Sequence, residues 1–283
     1  MWKRTKKTVK RIAYLGPPGT FTEEAALLYD KTAHFTPLPS IAAVAAAVAS
    51  GMAEEGVVAI ENSIEGSVND TLDLLIHESK VQIRKELVLP IEHHLLAKPG
   101  REVSDVKVIF SHPQALGQCR HFIESCFPKA QVVAALSTSA AVEEMMASSH
   151  PGAAIGTARA AELYSAEILA RQIQDQASNV TRFVVLAPTD HPPTGSDKTS
   201  LCFSFAEDRP GELSEVLNEF AKRNINLAKL ESRPSKESLG RYFFLLDLEG
   251  HHEEPLISEA LERVREKTAL LKIFGSYPRY KEN

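Results

Sequence analysis

The sequence predicts an α/β protein in which two groups of βα units form a two-lobed region and a ferredoxin-like βαββαβ unit follows. Three observations carry this reading. Over the first ~190 residues, short apolar strands alternate with amphipathic helices, as in layered α/β structures. Extended segments join two such groups, which suggests two lobes with a cleft. A stretch without periodicity, "APTDHPPTGSDKT", then separates them from strands and helices in the order strand, helix, strand, strand, helix, strand.

In chain order, "RIAYLG" reads as a strand and "TEEAALLYD" as the helix after it. "SIAAVAAAVASG" is an Ala-rich helix, with Ser40 placed as its N-cap and Gly51 as its stop. "EGVVAIEN" is the next strand, and "VNDTLDLLIHES" sets Val68, Leu72, Leu75 and Ile76 at helical spacing. The second group follows "VQIRKELVLPIEHHLLAKPG". Strand "VKVIF" leads into helix "PQALGQCRHFIESCF", whose Pro113 suits the first turn. Strand "QVVAAL" precedes helix "STSAAVEEMMASS", and strand "GAAIG" precedes helix "ARAAELYSAE"; "ILARQI" and "RFVVLA" close the region. Beyond the linker come "TSLCFSF", "GELSEVLNEFAKRN", "NLAKLESR", "RYFFLLDLEG", "PLISEALERVREKT" and "LLKIFG".

Composition narrows the function. The chain has 283 residues, 43% hydrophobic and 24% charged, which suits a globular protein of about two domains. Its net charge of −5 disfavours nucleic-acid binding, which needs a basic face. The N-terminal block of Lys3, Arg4, Lys6, Lys7, Lys10 and Arg11 has no apolar region after it, as a secretory signal would, and reads as a solvated tail. No window approaches the ~18 apolar residues of a membrane span, so no membrane partner is expected. Cys119, Cys126 and Cys202 show no metal-ligand spacing, and one stays unpaired in any disulfide scheme. A reduced, cytoplasmic protein fits, with Cys119 and Cys126 seven apart and expected on one core face. In that compartment the triplets Asn179-Val180-Thr181 and Asn69-Asp70-Thr71 are not sugar acceptors.

Polar residues gather where strands end and helices begin, the usual ligand position in open α/β sheets. After the first strand stands Gly16-Pro17-Pro18-Gly19-Thr20-Phe21-Thr22, with Thr20 and Glu23 spaced as a capping box. It is not a phosphate loop, since no lysine follows the second glycine. Glu61-Asn62-Ser63, Ser111-His112-Pro113-Gln114, Ser137-Thr138-Ser139 and Thr157 follow at later ends, and Asn179, Thr181 and Arg182 stand directly ahead of "FVVLA". Each is also what a helix cap requires. Together they offer hydroxyls, amides, helix N-termini and one arginine, a set suited to a small carboxylate, with Arg182 able to clamp one bidentately.

In order, these motifs resemble those of the prephenate dehydratase family over residues ~11 to ~280. The family's "GPxGTF" stands at Gly16 to Phe21, "ENS" at Glu61 to Ser63 and "SHPQAL" at Ser111 to Leu116. Its "STA" stands at Ser137 to Ser139, "GT/AxAAxLY" at Gly156 to Tyr164 and the hallmark "NxTRF" at Asn179 to Phe183. The tail is similar to an ACT domain, with "PGxL" at Pro210 to Leu213 and "ESRP" at Glu231 to Pro234. Ser139 and Glu212 replace the family's usual alanines; Glu212 puts the strength of regulation in question.

The resemblance implies a bilobal catalytic domain of the type II periplasmic-binding-protein kind over 11–188, with lobe 1 about 11–85 and 174–188 and lobe 2 about 86–173. A linker over 189–198 and an ACT regulatory domain over 199–280 follow. It implies conversion of prephenate to phenylpyruvate with loss of carbon dioxide and water, with neither cofactor nor metal. Catalysis is expected of Thr181, Arg182, Asn179, Glu61, Ser63 and His112. Thr181 would donate at the leaving hydroxyl, relaying a proton from Glu61, His112 or water, and Arg182 would hold a carboxylate. Substrate contacts are expected of Thr20, Asn62, Gln114, Ser137, Thr138, Thr157 and Phe183, with Phe183 under the ring or in the core. L-Phenylalanine is the implied effector, bound between paired ACT domains at Gly211, Glu212, Leu213, Glu231, Ser232, Arg233 and Pro234 in a homodimer or homotetramer. Two alternatives stay open: arogenate dehydratase, which takes the aminated substrate, and a non-catalytic small-acid sensor.

Overall fold

The computed structural model describes residues 9–78, 80–207, 209–236 and 240–281; the basic residues 3–7 lie outside them. The chain divides into two compact units. Residues up to Val44, Val57–Val68 and Val88–Phe183 form the first, and Ala45–Gly56, Asn69–Leu87 and the residues from Val184 form the second.

The chain begins with β1 (Arg11–Leu15), α1 (Phe21–Tyr29), β2 (His34–Leu38), α2 (Ile41–Ala49), β3 (Glu55–Asn62), the two-residue β4 (Gly66–Ser67), α3 (Asn69–Asp73) and β5 (Gln82–Pro90). Then follow β6 (His94–Ala97), β7 (Val108–Ser111), α4 (Pro113–Gln118), α5 (Arg120–Cys126), β8 (Gln131–Ala134), α6 (Thr138–Ala147), β9 (Gly152–Gly156), α7 (Ala158–Tyr164), β10 (Glu167–Ala170) and β11 (Val180–Ala187). A six-stranded sheet has the order β2-β1-β3-β11-β5 with β4 on β3, and a five-stranded sheet the order β10-β6-β9-β7-β8.

Alternation explains how helices cover both faces of the five-stranded sheet. On β6, Leu95 joins a core with Ile109, Ala153 and Ile155, whereas its neighbour Leu96 joins one with Ala141, Val142 and Ala154. Leu95 and Leu96 are both fully buried; each such leucine contributes about 1.5–3 kcal/mol relative to exposure.

The last elements are β12 (Asp197–Ser204), α8 (Glu212–Ala221), β13 (Leu227–Pro234), β14 (Tyr242–Glu249), α9 (Pro255–Lys267) and β15 (Leu270–Pro278). Their sheet is antiparallel with the order β13-β14-β12-β15, so the first strand sits inside and β13 is an edge, the ferredoxin-like arrangement. The apolar stripes of α8 and α9 close over it, with Val216, Phe220, Ile257, Ala260, Leu261 and Val264 against Leu201, Phe203 and Leu246. Gly275 (φ 144) stands at a register shift between β12 and β15, where a Cβ would collide with the Ile83 backbone.

Four local readings of the sequence need correction. The segment "PQALGQCRHFIESCF" is two helices, because Cys119 (φ −115, ψ 21) leaves the helical region. That break cancels the seven-residue spacing, so Cys119 is buried while Cys126 is exposed. The helix after Val68 passes into a π-helical turn at Leu74–Glu78. The sequence reading passed over the segment "HFTPL", which is an edge strand, a position that tolerates Pro37. Finally, β11 begins at Val180, so Thr181 and Arg182 lie within the strand rather than ahead of it.

Candidate active site

The first unit holds a cavity of about 350 Å³, within the size range of small-molecule sites. Thr20, Phe21, Asn62, Ile91, His93, His112, Gln114, Gln118, Leu136, Ser137, Thr138, Thr181 and Phe183 are among the residues that line it. The ends of β3 and β5 meet the beginning of β11 there. Ser63 N–H donates to Val180 O and Ile91 N–H donates to Asn179 O, both at 2.9 Å.

The polar centre is an amide chain whose direction can be read from its backbone anchors. Asn62 Oδ1 accepts from Ile64 N and Glu65 N, both at 3.0 Å. Since that atom accepts, Asn62 Nδ2 is the donor, reaching Asn179 Oδ1 at 2.7 Å and Thr181 Oγ1 at 2.8 Å. Asn179 Nδ2 in turn donates to Gln118 Oε1 at 3.0 Å. Thr181 Oγ1 thus receives a hydrogen bond from Asn62 and keeps its own hydrogen for a ligand. Asn179 is 1% exposed, held as the middle of the chain.

Helix starts supply further donors. Ser137 caps α6 by accepting from Ala140 N at 2.9 Å, and His112 caps α4 by accepting from Gln114 N at Nδ1, 3.3 Å away. Both side chains also line the cavity. The capping box expected at α1 is not formed: Thr20 Oγ1 donates to Pro17 O at 3.0 Å, and Glu23 Oε2 accepts from Gly19 N. Thr20 lines the cavity, and the first turn of α1 adjoins it.

Several sequence-based assignments fall elsewhere. Strand periodicity puts Thr181 and Phe183 on the cavity face and Arg182 on the other, where its Nη2 pairs with Glu61 Oε2 at 3.3 Å. Among the described residues the lining includes no lysine or arginine. In this structure Arg182 and Glu61 pair with each other outside the cavity lining. Ser63 ties strand ends together, with Val180 N donating to its Oγ at 3.0 Å. Thr157 is fully buried, capping α7 through Ala160 N (2.9 Å) and donating to Gly19 O (2.8 Å). Ser139 Oγ donates to Pro18 O. Both hydroxyls thus hold the Gly16–Thr20 loop in this structure.

The sequence reading missed Gln118 and His93. Gln118 was within reach, since it lies one helical turn beyond Gln114 on the same face of α4. His93 had no comparable signal in "IEHHLL". Burial lowers the pKa of His93, against a hydrogen bond with Gln118 that raises it. Burial likewise pushes the Cys119 thiol up to about 12, which leaves no thiolate nucleophile at neutral pH from that residue.

Comparison with known proteins adds the decisive observation. The family model described as prephenate dehydratase matches residues 12–191, and that of the ACT domain matches residues 201–266. The chain belongs to the prephenate dehydratase family. It is 46% identical over 270 residues to a bifunctional chorismate mutase/prephenate dehydratase of Aquifex aeolicus, covering 95% of this chain and 74% of the relative. Prephenate dehydratase of Bacillus subtilis is 36% identical over 284 residues, covering 95% and 99%. A solved structure of prephenate dehydratase from Arthrobacter aurescens, in complex with L-Phe, superposes with a TM-score of 0.88 at 35% identity, covering 95% of this chain and 90% of that one. The fold is that of the family, a periplasmic-binding-protein-like α/β region followed by an ACT domain.

In the ACT domain, Gly211 (φ 94) is the N-cap of α8, followed by Glu212 and Leu213. Glu231, Ser232 and Pro234 lie on edge strand β13, and Glu231 Oε2 pairs with Lys229 Nζ at 3.1 Å. Arg233 differs from them. It is 8% exposed and engaged with α3: Nε donates to Asp73 Oδ1 at 3.0 Å, Nη2 pairs with the same oxygen at 2.8 Å, and Nη1 donates to Asn69 Oδ1. Arg233 is therefore engaged within the second unit in this structure. Asp190, His251 and His252 converge in the same unit. His251 Nδ1 accepts from Glu253 N and Nε2 lies 2.7 Å from His191 O, so both its nitrogens are in use. Among the described residues no helix is long and apolar enough to cross a membrane.

Proposed function

We propose that this chain turns prephenate into phenylpyruvate, carbon dioxide and water in the cavity described above, without a cofactor. The bond from the ring to its carboxylate breaks, its electron pair enters the ring, and the ring hydroxyl leaves as water with a proton that solvent supplies by way of Thr181. Aromatisation supplies much of the driving force, so the protein must hold two carboxylates and stabilise the departing oxygen. The carrying observation is that Thr181 Oγ1 lines the cavity and accepts from Asn62 at 2.8 Å, which leaves its own O–H available to donate to the ligand. A positioned donor at developing negative charge contributes about 3–4 kcal/mol in comparable oxyanion sites.

The carboxylates meet neutral donors: the first turns of α1 and α6, the hydroxyls of Ser137 and Thr138, and the amides of Gln114 and Gln118. A helix N-terminus favours an anion without a cationic side chain. In this reading Arg182 and Glu61 support β11 from its other face. Incubating the chain with prephenate and following phenylpyruvate as its enol in base tests the activity; product at the spontaneous rate refutes it. Running arogenate beside prephenate decides between the two substrates.

The regulatory part of the reading rests on the ACT domain and on the L-Phe complex of the Arthrobacter relative. L-Phenylalanine is assigned to the start of α8 and to the Glu231, Ser232 and Pro234 stretch of edge strand β13, paired with a second copy in a cytoplasmic homodimer or homotetramer. Residues 11–188 form the catalytic domain and 199–280 the regulatory domain in this scheme. Sedimentation with and without L-phenylalanine tests the assembly.

A further inference from the structure

We propose that His93 is a positioning residue of the active site, fixing which end of the Gln118 amide faces the cavity. The proposal rests on the function argued above. It begins at the backbone N–H groups of Ile64 and Glu65, which determine the direction of every later bond in the amide chain. That direction makes Gln118 Oε1 an acceptor from Asn179 Nδ2. The same oxygen lies 3.0 Å from His93 Nε2. An amide oxygen cannot donate, so Nε2 carries the hydrogen. Both lone-pair directions of Oε1 are then filled, and the amide NH2, which also faces Glu65 Oε1 at 3.5 Å, is what Gln118 has left to offer a ligand.

The setting of the ring supports this role. His93 is 3% exposed and packs edge-to-face on Phe21, with ring centroids 5.5 Å apart. Its Nδ1 is buried without a hydrogen-bond partner among the described residues. Burial favours the neutral imidazole, so Nδ1 is a desolvated lone pair. An apolar side chain would fill the place without that penalty. What an apolar side chain lacks is the Nε2–H. Without it, one side of Gln118 Oε1 is open and the amide can turn, presenting a carbonyl to an anionic substrate.

Two variants separate positioning from packing. In His93→Leu the buried lone pair is gone, so Tm is expected to stay level or rise while kcat/KM for prephenate falls about tenfold. His93→Gln can return an N–H near the former Nε2 and is expected to recover most of that loss. Wild-type kcat/KM in His93→Leu overturns the proposal. So does an equal loss in both variants that follows a fall in Tm. Long-range 1H–15N correlation on histidine-labelled protein reads the tautomer independently of turnover: hydrogen on Nε2 supports the assignment and hydrogen on Nδ1 overturns it. Turnover by the unaltered chain tests the underlying function separately.

Discussion

Thr181 is an alcohol, too weak an acid to act alone, yet Asn62 donates to its oxygen and leaves its own hydrogen available to donate. Thr181→Ala should therefore lower kcat about 10²–10³-fold, the usual cost of losing one oxyanion donor. Stability should change little, because Asn62 Nδ2 keeps Asn179 Oδ1 and Val180 O as acceptors. Thr181→Ser should retain much of the rate; near-normal turnover in Thr181→Ala would sink the mechanism. Arg182→Lys is expected to leave KM for prephenate unchanged, since the guanidinium meets Glu61 away from the cavity; a raised KM in steady-state assays would return Arg182 to substrate binding. The sequence identified Asn179, Thr181 and Arg182 as a cluster but not the division among them. That division depends on where β11 starts. Polar residues at a strand end look like loop, and three residues of error hide the alternation that sends Thr181 inward and Arg182 outward.

At the scale of elements, the loop before α1 shows how helix starts become a site. Gly19 has φ 85, and a Cβ there would lie 2.6 Å from Ser139 Oγ and 3.3 Å from Ala160. Gly19→Ala is thus strained by its own backbone and by crowding, and should cost about 1–3 kcal/mol while raising KM through displacement of Thr20. Adding Ser139→Ala should relieve the nearer contact and only part of the loss, since φ is unchanged. A single variant with wild-type Tm and KM would show that the loop is not held this tightly. Capping residues other than Thr20 were legible in the sequence because Ser, Thr and His-Pro at helix starts have a local cause. Which caps also face a ligand was not legible. Ser137 lines the cavity and Thr157 is sealed beneath a loop, a difference made by the packing of α6 and α7 around residues 16–20. The helix break at Cys119 and the π-helical turn after Asp73 were likewise invisible, because apolar spacing runs through both.

For the whole molecule, the order of strands and helices was largely legible from periodicity, but the placement of Arg233 was not. The "ESRP" resemblance suggested an effector ligand, whereas Arg233 binds Asn69 and Asp73 of α3. Burial raises the Asp73 carboxyl, but hydrogen bonds from Lys236 and Arg233 outweigh it and hold the carboxyl below its ordinary range. The sign follows from linkage: this carboxylate contributes stability above its unfolded pKa of ~3.9, and the contribution is lost as pH falls through the lower folded value. Asp73→Asn should therefore flatten the acid limb of the stability curve in denaturant titrations between pH 5 and 3. In the chain, Asn69 of α3 directly follows Val68, a residue of the cavity wall. An effector alters turnover only through differential affinity for two states, and if L-phenylalanine changes the affinity for prephenate, prephenate changes that for L-phenylalanine by the same factor. Arg233→Met should then separate binding from response. L-Phenylalanine would still bind in calorimetry and still raise Tm, by about 2.7 kcal/mol of added stability at a hundredfold excess over Kd. Its inhibition of turnover would weaken, because the link from β13 to Asn69 and Asp73 is gone. Loss of binding in this variant would instead make Arg233 part of the effector site, and unchanged inhibition would show that α3 carries no signal.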